Sequence, residues 1–320
     1  MSEPFSFIAR RGRRDSSDRR RGIALIMVLW VLVLIALVAA ALRATVEAEI
    51  HAGLARTGQA QAMAAADGGV YWAIERLLER VYVGTTSDRP PVPIDDRPLV
   101  ADFGDGVRAE VRIQDVGGLV DLNAAPRPLL AALIHRLGVA ADRADVLAGR
   151  IMDFRDLDSE PQPRGGAEDE AYARAHMPFG PKNGPFDSPD ELAQVLGIGF
   201  DLAARMKPYV TVMSGARGID PLVAPPLVLE ALPGLSDAAR RLLLAERSRA
   251  GALRRTMPQV RHDMFQPSTH ANYRIVSIGI APDGARFIRE SVVQIRGSRQ
   301  PPYFFRSWTQ RLSIPVPPES

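Results

Sequence analysis

The chain contains no cysteine. A disulfide scaffold, a thiolate metal centre and a cysteine nucleophile are therefore all excluded. Histidine is scarce, with only His51, His135, His176, His262 and His270 present. No two of them stand at the spacing of paired ligands on a helix, so a zinc enzyme is not expected. Lysine is almost missing: Lys182 and Lys207 are the only two among 40 basic residues, and the rest are arginine. Excess charge is missing as well. A formal +3 at pH 7 over 320 residues is not the footprint of a nucleic-acid-binding chain. Gly and Pro, at 26 each, follow no repeat, which excludes a collagen-like or low-complexity chain. A composition of 46% hydrophobic and 24% charged residues is globular, and the length suits about two domains.

The strongest positive signal is an uninterrupted apolar run. Ile23 to Leu42 reads IALIMVLWVLVLIALVAAAL, twenty residues without a charge. At about 1.5 Å per residue it reaches roughly 30 Å, the thickness of a bilayer's hydrocarbon core. Arg10, Arg11, Arg13, Arg14, Arg19, Arg20 and Arg21 precede it, against Glu3, Asp15 and Asp18. That arginine excess keeps the N-terminus in the cytoplasm and sends the bulk of the chain across the inner membrane. A secretory signal peptide has a shorter apolar region and a small-x-small cleavage site after it. Here the suggestive junction, Arg21-Gly22-Ile23, comes before the apolar run. It resembles a type IV prepilin signal, whose peptidase cuts after the Gly on the cytoplasmic side and methylates the new amine. The expected cleavage lies between Gly22 and Ile23, with Ile23 the methylated N-terminus. An uncleaved signal anchor is the alternative. The fifth mature position, glutamate in most prepilins, is Met27 here. Without that carboxylate the subunit cannot pair with a preceding subunit's amine inside the membrane, which suits a subunit that starts a filament.

The helical pattern continues beyond the apolar run. No proline occurs from Arg43 to Val83, and Val46, Ile50, Leu54, Val70, Ile74, Leu77 and Leu78 recur at helical spacing. Gly53, Gly58, Gly68 and Gly69 are expected to weaken it locally. The four prolines between Gly84 and Pro98 end it.

Arg108 to Asp115 alternates as one strand, and a long helical section follows. Two segments in that section echo each other. Val120-Asp121-Leu122-Asn123-Ala124-Ala125-Pro126 precedes one apolar run, and Ile219-Asp220-Pro221-Leu222-Val223-Ala224-Pro225 precedes another. Each reads as a short extended piece, a proline near a helix start and an amphipathic helix. Leu222 stands where the first echo has Asn123, so the second turn is expected to be built differently. Between them, Val195-Leu196-Gly197-Ile198-Gly199 resembles the turn of a helix-hairpin-helix module, whose backbone amides approach a DNA phosphate. The surrounding charge opposes that use: Asp187, Asp190, Glu191 and Asp201 face only Arg205 and Lys207. Such hairpins also serve as packing units in sterile-alpha-motif-like folds. A periplasmic helix-hairpin-helix protein that binds DNA is the alternative function, and no nucleic acid is expected on the favoured reading.

Asp153, Asp156, Asp158 and Glu160 fall within eight residues, followed by Glu168, Asp169 and Glu170. Calcium takes six to eight oxygen ligands from such loops. The spacing does not match an EF-hand. The bland reading is a solvated acidic loop partly balanced by Arg150, Arg155 and Arg164. A catalytic carboxylate pair has no nearby nucleophile or phosphate loop to support it, so no enzyme is expected. Near the end, Ala271 to Ala281 and Ala285 to Ile295 alternate on either side of Pro282-Asp283-Gly284, a hairpin signal. The tail from Ser298 to Ser320 is expected to be irregular.

The whole pattern resembles one family, the minor pseudopilin K of bacterial type II secretion. The resemblance rests on RGIALIMVLW at 21–30 without a glutamate at Met27, and on GLVDLNAAP at 118–126. Asp153-Phe154-Arg155-Asp156, Gly166-Ala167-Glu168-Asp169 and Asn183-Gly184-Pro185-Phe186 complete it. It implies a non-enzymatic role: a tip complex with minor pseudopilins I and J that caps or initiates a pseudopilus of major pseudopilin, after processing by the prepilin peptidase. It implies calcium at Asp153, Asp156, Glu168 and Asp169, to which proximity adds Asp158 and Glu160. The expected fold is α+β, a type IV pilin-like long N-terminal transmembrane helix plus a small antiparallel sheet, with a large all-α insertion of sterile-alpha-motif-like or helix-hairpin-helix-like repeats. The expected segments are a cytoplasmic leader at 1–22 and a transmembrane and periplasmic stem helix at 23–83. A pilin-like head is expected at 84–114 and 265–320, a first helical unit with the acidic loop at 115–213, and a second at 214–264.

Overall fold

The computed structural model describes residues 17–82, 89–250, 262–297 and 299–311. The chain forms two compact units, Met1–Thr57 and Gly58–Ser320. Helix α1 (Ser17–Tyr82) runs through both. In the first unit, its stretch from Leu25 to Arg43 is long and apolar enough to cross a membrane. Leu25 is 72% and Trp30 69% exposed. A helix apolar on every side has no polar face to give to water, which is the pattern of a membrane span. α1 begins at Ser17, inside the expected leader, because Arg19, Arg20 and Arg21 are good helix formers and nothing separates them from the apolar run.

In the second unit, the C-terminal part of α1 packs on a five-stranded sheet of order β1-β2-β5-β6-β7. The strands are β1 (Asp95–Asp102), β2 (Arg108–Asp115), β5 (Asn272–Ile280), β6 (Arg286–Ile295) and β7 (Tyr303–Arg311). Every pairing is antiparallel. Val70, Ala73, Ile74 and Leu77 of the helix bury against Val111, Ile113, Ile275 and Val293. The helix comes unusually near. A Cβ on Gly69 would lie 2.2 Å from the Ser277 hydroxyl and 2.8 Å from the Ala109 Cβ. A Cβ on Gly279 of β5 would lie 1.9 Å from the Ala62 carbonyl oxygen. Gly68 and Gly69 therefore do not interrupt α1. The loss of about 1 kcal/mol of helix propensity at each is offset by close packing of helix on sheet.

Two strands lie where none was expected. β1 begins inside the proline-rich run, and it tolerates Pro98 because it is an edge strand, where a missing N–H need not break a ladder. β7 occupies part of the tail, which is thus not irregular over Tyr303–Arg311; residues 312–320 lie outside the described residues. Its Phe305 and Trp308 pack on Tyr71, with ring centroids at 6.0 Å and 5.8 Å.

Between β2 and β5 the chain makes a helical section. Short strands β3 (Val120–Asp121) and β4 (Val210–Thr211) pair in parallel. Helices α2 (Arg127–Arg136), α3 (Ala141–Arg155), α4 (Asp169–Arg174) and α5 (Gly199–Met206) lie between them, and α6 (Pro226–Ala231) and α7 (Asp237–Ala250) follow. Leu129, Leu133, Ile134, Leu147 and Ile151 centre its core. Arg247 of α7 ties this section to the sheet: its Nε lies 2.8 Å from Asp95 Oδ2, with both side chains nearly buried. The architecture is α+β, with an apolar N-terminal helix, an antiparallel sheet and many helices.

Candidate functional site

The two sequence echoes fold into the same turn. The Asp121 carboxylate accepts from Asn123 N at 2.8 Å, and its backbone carbonyl accepts from Ala124 and Ala125. The Asp220 carboxylate accepts from Leu222 N at 2.9 Å, and its carbonyl accepts from Val223 and Ala224. An Asp bonding the backbone two residues on is an Asx-turn. The Leu222 difference therefore does not alter the turn, since position three contributes only its N–H there. What Asn123 adds is a second function. Its side chain donates to the Phe186 carbonyl at 2.9 Å and accepts from the Phe186 N–H at 2.7 Å. Phe186 in turn stacks on Phe154, with centroids 4.8 Å apart.

The segments that carried the family resemblance thus meet in space. Asp153, on the last turn of α3, is fully buried. Its Oδ1 accepts from Gln162 N at 2.9 Å and its Oδ2 from Ala167 N at 2.5 Å. These bonds fold the Pro161–Gly166 loop back onto the helix. Gly166 sits so close that a Cβ would lie 2.3 Å from Gln162 N and 2.4 Å from Asp153 Oδ2, so no other residue fits without moving the loop.

Two of the acidic side chains, Asp153 and Glu168, are withdrawn from solvent. Glu168 is 9% exposed, and neither of its carboxylate oxygens has a hydrogen-bond partner. Asp156 Oδ1 is likewise buried and unpartnered. Burial, then repulsion from Asp153, Asp156, Asp158 and Asp169, pushes the Glu168 carboxyl up to about 7. Burial also raises Asp153, where the two amide bonds oppose it, and raises Asp156, where Asp158 and Asp153 add repulsion. Two of the arginines expected to balance the loop give their hydrogen bonds to backbone carbonyls and not to the carboxylates. Arg150 donates to the Gly165 and Leu196 carbonyls, and Arg155 to those of Leu122 and Ala125. Asp158, Glu160 and Asp169 are exposed, and Asp158 accepts from the Glu160 N–H. Among the described residues, no three acidic or imidazole side chains form a ready-made metal cage. The donor chemistry fits a hard cation nonetheless, because buried unpaired carboxylate oxygens in a repelling group are costly without one.

The other expected sites lie along α1. Gly22 and Ile23 fall within the helix; their side chains, and the leader before residue 17, lie outside the described residues. Met27 is 63% exposed. The Gly197–Gly199 turn follows a short 3-10 helix (Pro189–Gln194), and both glycines have positive φ. Its nearby cations are engaged: Lys207 bonds Asp190, Lys182 bonds Asp187 and Glu191, and Arg205 pairs with Asp201. What sequence reading missed was Phe186 as the tie between motifs, and its signal was the aromatic closing Asn183-Gly184-Pro185-Phe186.

Comparison with known proteins gives three kinds of match. Residues 114–215 match the family model described as type II secretion system protein K. The chain is 26% identical over 211 residues to the type II secretion system protein K of Pectobacterium carotovorum, a match covering 61% of this chain and 64% of that protein. It is 29% identical over 223 residues to the protein K of Aeromonas hydrophila, covering 62% and 65%. Against the protein K of Pseudomonas aeruginosa it is 26% identical, covering 72% and 74%. The matches thus span just under two thirds of the first and second of these relatives. Among solved structures, a chain of the GspK-GspI-GspJ complex from enterotoxigenic Escherichia coli superposes with a TM-score of 0.54 at 20% identity, covering 77% of this chain and 97% of that one. At that identity the likeness is one of fold. The resemblance read from the sequence is shown by these matches together, and none of them favours DNA binding.

Proposed function

We propose that this chain, a relative of the type II secretion K proteins, is a non-enzymatic minor pseudopilin that initiates or caps a short pseudopilus in the inner membrane. One observation carries the reading: a single helix, apolar all round over Leu25–Arg43 and lined with small residues from Gly58 onward, lies against an antiparallel sheet. That is the plan of a type IV pilin-like subunit, and the helical section between β2 and β5 is its sterile-alpha-motif-like insertion. The arginines before the helix orient it with the N-terminus in the cytoplasm and the bulk in the periplasm. Prepilin peptidase cleaves between Gly22 and Ile23 and methylates Ile23. With Met27 in place of a carboxylate, the new amine serves the next subunit, while nothing draws this one onto a predecessor. Its partners are the major pseudopilin and minor pseudopilins I and J, as the solved complex of such a K protein suggests.

The acidic loop holds calcium in this reading. Glu168 and Asp156 supply the unpartnered oxygens, with Asp153, Asp158, Glu160 and Asp169 around them. A bound cation would neutralise their mutual repulsion and fix the loop against α3. The amide bonds of Asp153 hold that carboxylate in place for either state.

Intact mass of the membrane-extracted protein, from cells with and without the peptidase, tests the assignment. A chain beginning at methylated Ile23 only when the peptidase is present is the expected result. A chain beginning at Met1 in both leaves an ordinary signal anchor and sinks the pseudopilin reading.

A further inference from the structure

The sheet has two outer edges, and they are built differently. β1 carries Asp95, Asp96, Arg97 and Pro98, with its register broken between Asp95 and Pro98. Charge, proline and irregularity are the devices that keep an edge from pairing with another chain. β7 has neither proline nor carboxylate over Tyr303–Arg311. It has one irregularity, opposite Val292 and Val293, with a regular ladder on each side. Among the described residues no strand pairs with its outer edge.

The ladder fixes which amides are open. Arg296 N donates to the Pro302 carbonyl at 2.8 Å, and Ile295 stands opposite Tyr303. Antiparallel alternation then turns the N–H and C=O of Tyr303 and Phe305 away from β6. Beyond the irregularity, the Val292 N–H points towards β7 and donates to the Ser307 hydroxyl at 3.1 Å, and with Ser291 opposite Trp308 and Arg289 opposite Gln310 the backbone groups of Trp308 and Gln310 turn outward. The chemistry beside them is of one sign. From Arg296 to Arg311 there are four arginines and no carboxylate. Arg311 is paired with Glu290; Arg299 and Arg306 are exposed, and Arg306 gives one N–H to the Gln294 side-chain oxygen at 3.0 Å. The Arg306 guanidinium lies 5.8 Å from the ring of Phe304, itself 52% exposed.

We propose that the outer edge of β7 accepts an extended, acidic segment of another polypeptide as an added strand. Open main-chain groups supply the attachment, and Arg306 with Phe304 selects a carboxylate beside an apolar side chain. The inference rests on the edge alone and stands or falls separately from the pseudopilin reading.

The probe is a short peptide of alternating Glu and Val, titrated against the full chain in detergent micelles. The same peptide N-methylated on alternate residues, which cannot form a ladder, is the control. The expected result is saturable binding of the first peptide only. Gln310→Pro removes an outward N–H without touching the bond network to β6 and should weaken binding about fivefold, the worth of one net hydrogen bond. Arg306→Glu should weaken it by at least as much and leaves the backbone untouched, so it decides the matter if the proline variant fails to fold. Equal binding of the N-methylated peptide overturns the proposal, as do indifference to Arg306→Glu, and self-association of the chain through β7 in place of peptide binding.

Discussion

In the sheet region the tight places are shape contacts: Gly279 admits the Ala62 carbonyl of α1, and Gly69 admits Ser277. The helical section has such contacts too, at Gly118 and Gly166, but three of its turns are in addition closed by a buried carboxylate: Asp121, Asp153 and Asp220. At these points the first region depends on close approach, and the second adds charges that have found N–H donors. The difference governs how each should fail. A region held by close approach has no tolerance for added volume. A region held by carboxylate-capped turns is sensitive to lost acceptors and to pH.

The sharpest way to break this contrast is to add one methyl at the helix–sheet contact. Gly279→Ala forces the α1 backbone off β5 and should cost about 3 kcal/mol, read as a fall in unfolding midpoint. A cost under about 1 kcal/mol would mean the helix can shift freely, and the shape argument would go. Next comes a comparison within the carboxylate-held region. Asp121 also accepts from Ser214 N, Ser214 Oγ and Gly215 N, whereas Asp220 adds only Ser268 N. Asp121→Asn should therefore cost about 2–3 kcal/mol and Asp220→Asn about 1–2 kcal/mol, since buried donors left unpaired set the scale. Equal costs would show that the number of amides served is not what matters.

The smallest effect is one of pH. Folded Glu168 titrates at about 7 against an ordinary 4.5. Between those values the folded chain holds a proton that the unfolded chain has released, so stability falls as pH rises through that window and levels off above it. Calcium, if bound, should remove the slope, because it stabilises the ionised form. Denaturant unfolding at both ends of the window, with and without calcium, checks this. A stability that rises with pH in a calcium-free sample contradicts the burial of Glu168. Glu168→Gln should flatten the curve and abolish the calcium response together.

The elements that were legible in the sequence share a cause. Arg108–Asp115 alternates, Ala271–Ala281 and Ala285–Ile295 alternate around Pro282-Asp283-Gly284, and both fold as read, because alternating apolar and β-branched residues flanking a turn favour paired strands. The apolar run was legible because twenty apolar residues without a charge match the thickness of a bilayer's hydrocarbon core. β1 and β7 were hidden because edge strands carry prolines and arginines that reach solvent. In the candidate site, the acidic residues were visible as composition. Their unequal fates were not. Asp153 and Glu168 are buried while Asp158 and Glu160 stay exposed, since burial depends on how the Pro161–Gly166 loop folds over α3.

By itself, then, the sequence determined the membrane-length helix, the hairpin, the two echoing segments and the presence of a carboxylate-rich loop. Each is set by residues within one segment, where local periodicity and turn chemistry act. Tertiary structure alone decided that Gly69 and Gly279 are contacts and not weaknesses, that Asn123 reaches Phe186, and that Glu168 is shut away from water without a partner. Those facts join residues 63 to more than 200 positions apart, and no local rule specifies which distant atoms will fill the space beside a glycine or close over a carboxylate.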